Sequence, residues 1–207
     1  SMGDLGTSIT TGRPVIEDLT VRLPATLELI TFGLFGAVSL GVIIGLYTAF
    51  NSGGFVDRGT RLYSLAAGAI PDFWLALILI YFLYYLFGWM PAPVGRIGFL
   101  VGSPDHITGF YTIDSLLTLN FNAFFSSVSH LILPVLSLTL VWSGLVIRMT
   151  RSILDEILES EFIVHAKARG LPKKIIWKYA FRNASPPILT IIAVVYGFLL
   201  GGAVLIE

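Results

Sequence analysis

Four long stretches of this chain contain no aspartate, glutamate, lysine or arginine. They cover residues 29–56, 73–95, 115–147 and 183–206. Each can hold the run of about 20 predominantly apolar residues that an α-helix needs to cross the hydrocarbon core of a bilayer. A helix satisfies all of its own backbone hydrogen bonds, which lipid cannot do for it. The charge pattern therefore predicts an all-α protein, a polytopic bundle of membrane helices.

The composition supports a membrane protein and excludes several other classes. Hydrophobic residues make up 55% of the 207 positions and charged residues 13%, against about 25% charged in a soluble domain. So apolar a chain is not disordered. The 13 basic and 13 acidic residues cancel, so no nucleic-acid partner is expected. The lack of cysteine excludes disulfides, thiolate metal sites and thiol catalysis.

The chain divides into a short polar N-terminal segment and a transmembrane domain whose first two spans end at breaker residues. Residues 1–22 are polar, and Pro14 is expected to open a short interfacial helix there, because apolar residues then recur on one helical face. The transmembrane domain is expected over residues 23–207, with a cytoplasmic loop over residues 150–183. Its four predicted spans lie at about 23–50, 62–89, 127–149 and 184–207.

The basic residues predict the orientation in the membrane. Eight of the 13 lysines and arginines fall within residues 148–182, which the positive-inside rule places in the cytoplasm. Four alternating spans then place residues 51–61 on the same side, and that short loop also carries two arginines. The N-terminal segment and the glycine- and proline-rich residues 90–122 are expected outside.

Small residues recur at every fourth position on the first predicted span. This spacing puts them on one stripe of a helix, where a neighbouring helix can approach closely. The alternative is that glycine is simply common in membrane helices. The stripe that predicts helix packing consists of Ala37, Gly41, Gly45 and Ala49.

An acidic residue lies within the second predicted span. On a continuous helix rising about 1.5 Å per residue, Asp72 would lie about 16 Å beyond Arg61, near the middle of the bilayer. An acid at that depth faces protein or water, and a break such as Pro71 is tolerated where the chain lines a cavity. One interpretation makes Pro71 and Asp72 part of a polar pathway. The other is a shallower start of the span, with Asp72 near the lipid headgroups.

The predicted cytoplasmic loop has the clearest local structure. Apolar residues at helical spacing in 153–158 continue the third span as an amphipathic helix. A second short helix is expected within residues 162–169, ending at Gly170, since glycine suits the left-handed conformation past a helix end. Pro172 suits the first turn of a further helix, over residues 173–182. The alternative interpretation is a basic surface that only holds anionic lipid headgroups.

Nothing in the sequence indicates an enzyme. There is no glycine-lysine phosphate loop, no paired zinc-binding histidine motif, no nucleophile elbow and no pair of intramembrane carboxylates. The chain is therefore expected not to be catalytic by itself and to use no cofactor or metal. Any uphill transport must draw energy from a partner or an ion gradient. The alternative function is a membrane scaffold or assembly protein that conducts nothing.

Several motifs resemble the dipeptide, oligopeptide and nickel permeases, the membrane subunits of binding-protein-dependent ABC importers. The cytoplasmic signature of these importers is Glu-Ala-Ala, three residues and Gly. Counting back from Gly170, its first three places are Val164, His165 and Ala166, so the second Ala and the Gly match, a departure typical of the peptide-permease branch. The other matching motifs are Ala166-Lys167-Ala168-Arg169-Gly170-Leu171, Ala180-Phe181-Arg182-Asn183-Ala184 with Pro187, Gly201-Gly202-Ala203-Val204-Leu205-Ile206-Glu207 and, near the start, Gly3-Asp4-Leu5-Gly6-Thr7-Ser8, Thr11-Gly12-Arg13-Pro14-Val15 and Arg22-Leu23-Pro24-Ala25-Thr26-Leu27-Glu28.

The resemblance implies a type I ABC importer fold in the plasma (inner) membrane, of which this chain is a truncated core with about four of six spans. The implied function is the transmembrane pathway of an ATP-driven importer for peptides or a related small solute, such as glutathione or a nickel complex. The implied partners are a second permease subunit, two ABC ATPase subunits, an extracytoplasmic solute-binding protein and membrane lipid. The short cytoplasmic helix would couple to the ATPase, and the residues implied in this coupling are Val164, His165, Ala166, Lys167, Arg169, Gly170, Arg182 and Asn183.

Overall fold

Helices form all the regular elements in residues 5–206, the part of the chain that the computed structural model describes, with side chains described for residues 5–201. Three of them, α1, α5 and α7, are long and apolar enough to cross a membrane. Glu207, where the fourth predicted span ends, lies outside the described residues. The helices are α1 (Val15–Phe50), α2 (Phe55–Ala69), α3 (Asp72–Leu79) with a π-helical extension (Ile80–Leu86), α4 (Tyr111–Leu117), α5 (Phe121–Glu159), α6 (Glu161–Ala168) and α7 (Lys173–Ile206).

The first helix is longer than predicted. It begins directly after Pro14, where a helix start was expected, and continues without a break to Phe50. The short N-terminal helix is therefore not a separate element, which corrects the predicted boundary at residue 23. Pro24 lies inside the helix. One proline removes a single backbone hydrogen bond, and the other turns of this 36-residue helix keep theirs.

The second predicted span is broken. α2 ends at Ala69, and the next helix, α3 with its π-helical extension, is bent away from it by 106°. The prediction of one continuous helix over residues 62–89 is therefore wrong, and the depth estimate for Asp72, which assumed that helix, no longer holds. The cause is Pro71, which disfavours helical backbone at the preceding residue, so that Ile70 has an extended conformation with φ −91° and ψ 125°. The bent pair counts as a fourth span only if both pieces are taken together.

The two other long helices extend past the predicted spans. α5 runs on to Glu159, so the predicted amphipathic continuation of the third span is confirmed. α7 passes through Pro186 and Pro187 without interruption, whereas the sequence predicted a separate helix before residue 184. Pro186 cannot supply the donor for the carbonyl of Arg182, and the hydroxyl of Ser185 donates to that carbonyl instead over 3.0 Å. α4 was missed, since residues 90–122 were predicted as a loop.

The chain forms two compact units. The first unit comprises Ser1–Phe32 and Ala76–Val135, and the second unit comprises Gly33–Leu75 and Leu136–Glu207. The first unit has several fully buried polar side chains, among them Glu28 and Asp114. The second unit has an apolar core formed by the ends of its long helices together with α6. The buried members of this core are Ala49, Leu154, Ile163, Ile176, Ala180, Ala184 and Ile188.

The stripe of small residues on α1 packs against α5 within the second unit. Its two alanines are buried. A Cβ atom added at Gly41 would lie 2.5 Å from the side chain of Val146, and one added at Gly45 would lie 2.8 Å from the side chain of Thr150. Side chains do not approach one another so closely, so the helix contact requires glycine at both positions.

We expect Gly41→Ala to lower the stability of the protein, although alanine is the better helix former. Overpacking a helix contact costs about 1–3 kcal/mol, which exceeds the roughly 1 kcal/mol that alanine gains over glycine in a helix. The matched control is Gly59→Ala in α2, because nothing lies within 4 Å of a Cβ added there. Thermal unfolding in detergent should show a lower midpoint for Gly41→Ala alone. Equal midpoints would contradict the close contact.

Candidate functional site

The short helix α6 has one buried and one exposed face. Ile163 is fully buried and Ala166 is 7% exposed, three residues apart on the same face. The neighbouring Phe162 lies outside the core and is 45% exposed. The exposed face carries Val164, His165 and Lys167, and Arg169 follows at the end of the helix.

Gly170 ends α6 in the left-handed conformation. Its φ is +73°, and nothing lies within 4 Å of a Cβ built on it. The N–H of Gly170 donates to the carbonyl of Lys167 over 2.9 Å, and the N–H of Leu171 donates to the carbonyl of Ala166 over 3.2 Å. This pair of bonds supplies donors to the last carbonyls of a helix and closes it. The predicted helix end at Gly170 is confirmed.

The core of the second unit supports α6 from behind. Ile163 belongs to the buried cluster that includes Ile176 of α7, and Leu171 packs against the same cluster. Next to it, the rings of Phe50 and Trp177 are stacked with their centroids 4.0 Å apart. Because packed interiors deform little, a force on the exposed face of α6 would be transmitted to the helix ends that form this core.

A groove of about 360 Å³ lies beside α6. Lys167 of α6 and Lys173 of α7 line it together with Asp155 and Glu159 of α5. Nζ of Lys167 also donates to the carbonyl of Leu158 over 3.3 Å. The groove adds charges of both signs to the exposed face of α6, which suits contact with a polar protein surface.

A buried ion-pair network lies in the same unit. Asp57, in the first turn of α2, is 2% exposed and pairs with Arg61 over 3.4 Å and with Arg151 of α5. It also accepts a hydrogen bond from the N–H of Gly53 over 2.8 Å, and Arg151 pairs with Asp155 over 3.3 Å. The network therefore ties the turn between α1 and α2 to α5.

This network was not predicted from the sequence. The sequence offered one indication that Asp57 forms an ion pair. It is the only acidic residue between the end of α1 and Arg61. Its partner Arg151 lies 94 residues later, and no local pattern relates two positions so far apart. Only the folded chain brings the two residues together.

A second polar network lies in the first unit. Glu28 of α1 is 1% exposed, accepts a hydrogen bond from the N–H of Thr112 over 2.8 Å and pairs with Arg96 over 2.6 Å. The guanidinium of Arg96 donates to the carbonyl of Gly109 over 2.9 Å and lies 3.8 Å from the centroid of the Tyr111 ring. These contacts hold the connection between the π-helical extension and α5 against α1.

Asp114 organises the turn before α4. Its carboxylate accepts hydrogen bonds from the N–H groups of Thr108 over 2.8 Å, Gly109 over 2.9 Å and Ile107 over 3.3 Å, and from the Thr108 hydroxyl over 2.6 Å. Burial by itself raises the pKa of this carboxyl. The hydrogen bonds from the Thr108 hydroxyl and from the three N–H groups outweigh burial, so the pKa of Asp114 lies below its ordinary value of 3.8.

The stabilising effect of Asp114 should depend on pH. The pKa of Asp114 is lower in the folded state than its ordinary value of 3.8, so at a pH above 3.8 the carboxylate makes its full contribution to stability. This contribution is lost as the pH falls through the folded-state pKa. The melting temperature of Asp114→Asn should therefore fall below that of the wild type near neutral pH and approach it in acid. Asp105→Asn, at an exposed position nearby, is the control and should melt like the wild type. A deficit that persists unchanged in acid would contradict this role.

Not all the residues predicted to act in coupling lie at α6. Arg182 and Asn183 are exposed on α7, about 14 Å along that helix from Lys173 at about 1.5 Å per residue. The side-chain amide of Asn183 donates to the carbonyl of Tyr179 over 2.8 Å. Asp72, predicted as a pathway residue, is exposed in the first turn of α3 and forms no ion pair with the described side chains.

Most of the chain matches one known protein family. Residues 41–207 match the family of the binding-protein-dependent transport system inner membrane component. The chain belongs to this family. It is therefore an all-α, multi-pass component of the inner membrane, and the predicted fold class and location are confirmed.

Three curated relatives are similar to almost the whole chain. The chain is 41% identical to a probable D,D-dipeptide transport system permease protein of Escherichia coli, 38% to a di/tripeptide transport system permease protein of Pseudomonas aeruginosa and 36% to a dipeptide transport system permease protein of Alkalihalophilus pseudofirmus. The alignments cover 99–100% of this chain and 60–61% of the relatives. The chain thus spans about three fifths of the length of the curated relatives it matches.

Proposed function

We propose that this chain is the transmembrane pathway subunit of an ATP-driven importer for peptides or a related small solute. The support is that the relatives named above are permease proteins of transport systems for dipeptides or tripeptides. In this proposal the chain itself is not catalytic, and separate ATPase subunits hydrolyse ATP.

The observation that carries the proposal is the exposed helix α6. Its buried face is fixed in the core by Ile163, its end is closed at Gly170, and its exposed face presents Val164 and Lys167. A preorganised helix loses little conformational entropy when it docks. Such a helix suits the contact through which an ATPase subunit moves the long helices behind it.

The proposal includes the predicted partners, namely a second permease subunit, two ABC ATPase subunits and an extracytoplasmic solute-binding protein. The long helix α7 has large exposed apolar side chains, with Leu189 63%, Val194 52% and Phe198 66% exposed. Such side chains need lipid or another membrane helix against them. A second permease subunit would supply that helix.

Pro71 and Asp72 are proposed to line the polar pathway. The carbonyl of Pro71 accepts a hydrogen bond from the N–H of Trp74 over 3.0 Å and so starts α3 after the break. A break in a membrane helix is tolerated where it is buried in protein or lines a water-filled cavity. The carboxylate of Asp72 is exposed. It supports a water-filled cavity at this break, since an ionised group in lipid is costly.

The predicted orientation can be tested with single cysteines. Residues 51–61 and 150–183 are expected in the cytoplasm and residues 90–122 outside the membrane, because basic residues concentrate in the first two segments. Ser52→Cys and Ser103→Cys, both at exposed positions, should then react with an impermeant maleimide from opposite sides. The unmodified chain contains no cysteine and is the control. Reaction of both from the same side would contradict the four-span topology.

The function itself is tested with the intact permease and its candidate ATPase subunits in proteoliposomes. ATP hydrolysis and solute accumulation should both rise when a solute-binding protein loaded with a dipeptide is added on the outer side. The permease without ATPase subunits is the control and should show no ATP-dependent uptake. A stable complex that shows neither response would support the alternative, a membrane scaffold or assembly protein.

A further inference from the structure

A second groove in the second unit lies between α2 and α5. Its volume is about 250 Å³. It shares no lining residue with the groove beside α6, so it is a separate feature. Its lining includes Arg61, Ser64 and Leu65 from α2, and Ile147, Arg148 and Arg151 from α5.

The groove has an excess of positive charge. Arg61 and Arg151 share the carboxylate of Asp57, and Arg151 also pairs with Asp155. Arg148 is exposed and pairs with no carboxylate among the side chains described for residues 5–201. The two aspartates therefore leave one of the three arginines uncompensated. An anion in the groove would supply the missing negative charge.

A buried hydroxyl in the groove lacks a hydrogen-bond partner. Ser64 is 7% exposed, and its Oγ makes no hydrogen bond within the described part of the chain. A buried polar group without a partner is unfavourable, and most such groups in proteins are satisfied. If the Ser64 side chain turns towards the groove, the acceptor oxygens of an occupant can bind Ser64 and Arg148 together.

Apart from Thr60, the rest of the groove is apolar, and it continues onto exposed side chains of α2. Leu65 lines the groove and is 63% exposed, and Leu62, one turn earlier, is 69% exposed. Ile147 and the methylene stems of the arginines add further apolar surface. A hydrocarbon chain can lie along this surface, whereas a free phosphate ion would use only the polar groups.

We propose that this groove binds an anionic phospholipid, with the headgroup phosphate at Arg148 and Ser64 and an acyl chain along Leu65. Guanidinium groups form strong, paired hydrogen bonds to phosphate oxygens. Both loops that lead to these arginines are predicted to be cytoplasmic, and basic pockets between membrane helices on that side bind anionic headgroups. The proposal depends neither on the imported solute nor on the ATPase subunits.

The test uses the intact permease in phosphatidylcholine vesicles that contain about one-fifth phosphatidylglycerol, which makes the surface anionic. A photoreactive phosphatidylglycerol with its reactive group on the acyl chain labels the protein, and mass spectrometry maps the labelled peptides. We expect labelling at Leu65 and around Arg148, and we expect Arg148→Gln to reduce it about fivefold, since one arginine near an anionic surface contributes about that factor. Arg148→Lys keeps the charge and should retain most of the labelling.

Three controls decide the outcome. Lys174→Gln removes a basic residue that is exposed on α7 and outside the groove, and it should leave labelling unchanged. Equal labelling by a zwitterionic phosphatidylcholine probe, or unchanged labelling in Arg148→Gln, would overturn the proposal. Complete displacement of the lipid by inorganic phosphate would identify a soluble phosphate as the ligand and would overturn it too. Because Arg148 is exposed, its substitution should leave the fold intact.

Discussion

Replacing Gly170 with valine is expected to abolish the stimulation of ATP hydrolysis by a loaded solute-binding protein, while the permease still inserts into the membrane. Gly170 has a φ of +73°, and a side chain in the left-handed conformation costs about 1–2 kcal/mol, more for a β-branched residue. A valine would shift the backbone towards negative φ, so the bonds from Gly170 and Leu171 to the last carbonyls of α6 would break. The helix would then point in another direction. ATPase assays on the reconstituted transporter measure this loss.

Two control variants separate the conformation of Gly170 from general backbone strain. Gly170→Asn should keep most of the stimulation, because asparagine adopts the left-handed conformation more readily than other residues with a side chain. Gly12→Val introduces similar strain in the first unit, where φ is +68° and nothing lies within 4 Å of the added Cβ. The Gly12→Val permease should show the same stimulation of ATP hydrolysis as the wild type. Normal coupling in Gly170→Val would show that α6 is not the contact with the ATPase.

Removing the carboxylate of Asp57 is expected to lower the stability of the protein strongly. Asp57→Ala leaves Arg151, whose side chain is only 12% exposed, without its buried partner. Breaking a buried ion pair from one side costs about 3–5 kcal/mol, and we expect the lower end because Asp155 still faces Arg151. Chemical unfolding in mixed micelles, followed by tryptophan fluorescence, measures the change in the free energy of unfolding.

A double variant tests whether the loss comes from the unpaired charge. In Asp57→Asn with Arg151→Met no buried charge is left without a partner, and most of the stability should return. Asp155 is 45% exposed, so Asp155→Asn is the control and should cost no more than about 1 kcal/mol. If the double variant is as unstable as the sum of its single variants, the Asp57–Arg151 pair is not the cause.

Local patterns were sufficient for the helices that cross the membrane and for the end of α6. The charge-free stretches located α1, α5 and α7, because charged side chains are costly inside the bilayer. Gly170 was recognised as a helix end because the left-handed conformation there is a property of one residue and its immediate neighbours. Interactions between residues that are only a few positions apart can be recognised from the sequence itself.

The prolines mark the limit of such local reasoning. Pro71 ends a helix and is followed by a bend of 106°, whereas Pro24, Pro134 and Pro186 all lie inside continuous helices. Every proline removes the same backbone donor. Whether the helix continues depends on what replaces the lost bond, as the Ser185 hydroxyl does at the carbonyl of Arg182, and on the packing around it.

The sequence by itself determined that this is a helical membrane protein, where basic segments concentrate and where α6 ends. Only the tertiary structure decided which charged residues are buried and with whom they pair. Asp57 and Arg151 are 94 residues apart, and Glu28 and Arg96 are 68 residues apart. The physical reason is that a charge leaves water only when a partner compensates it, and in both networks that partner is brought near by the fold and not by the neighbouring sequence.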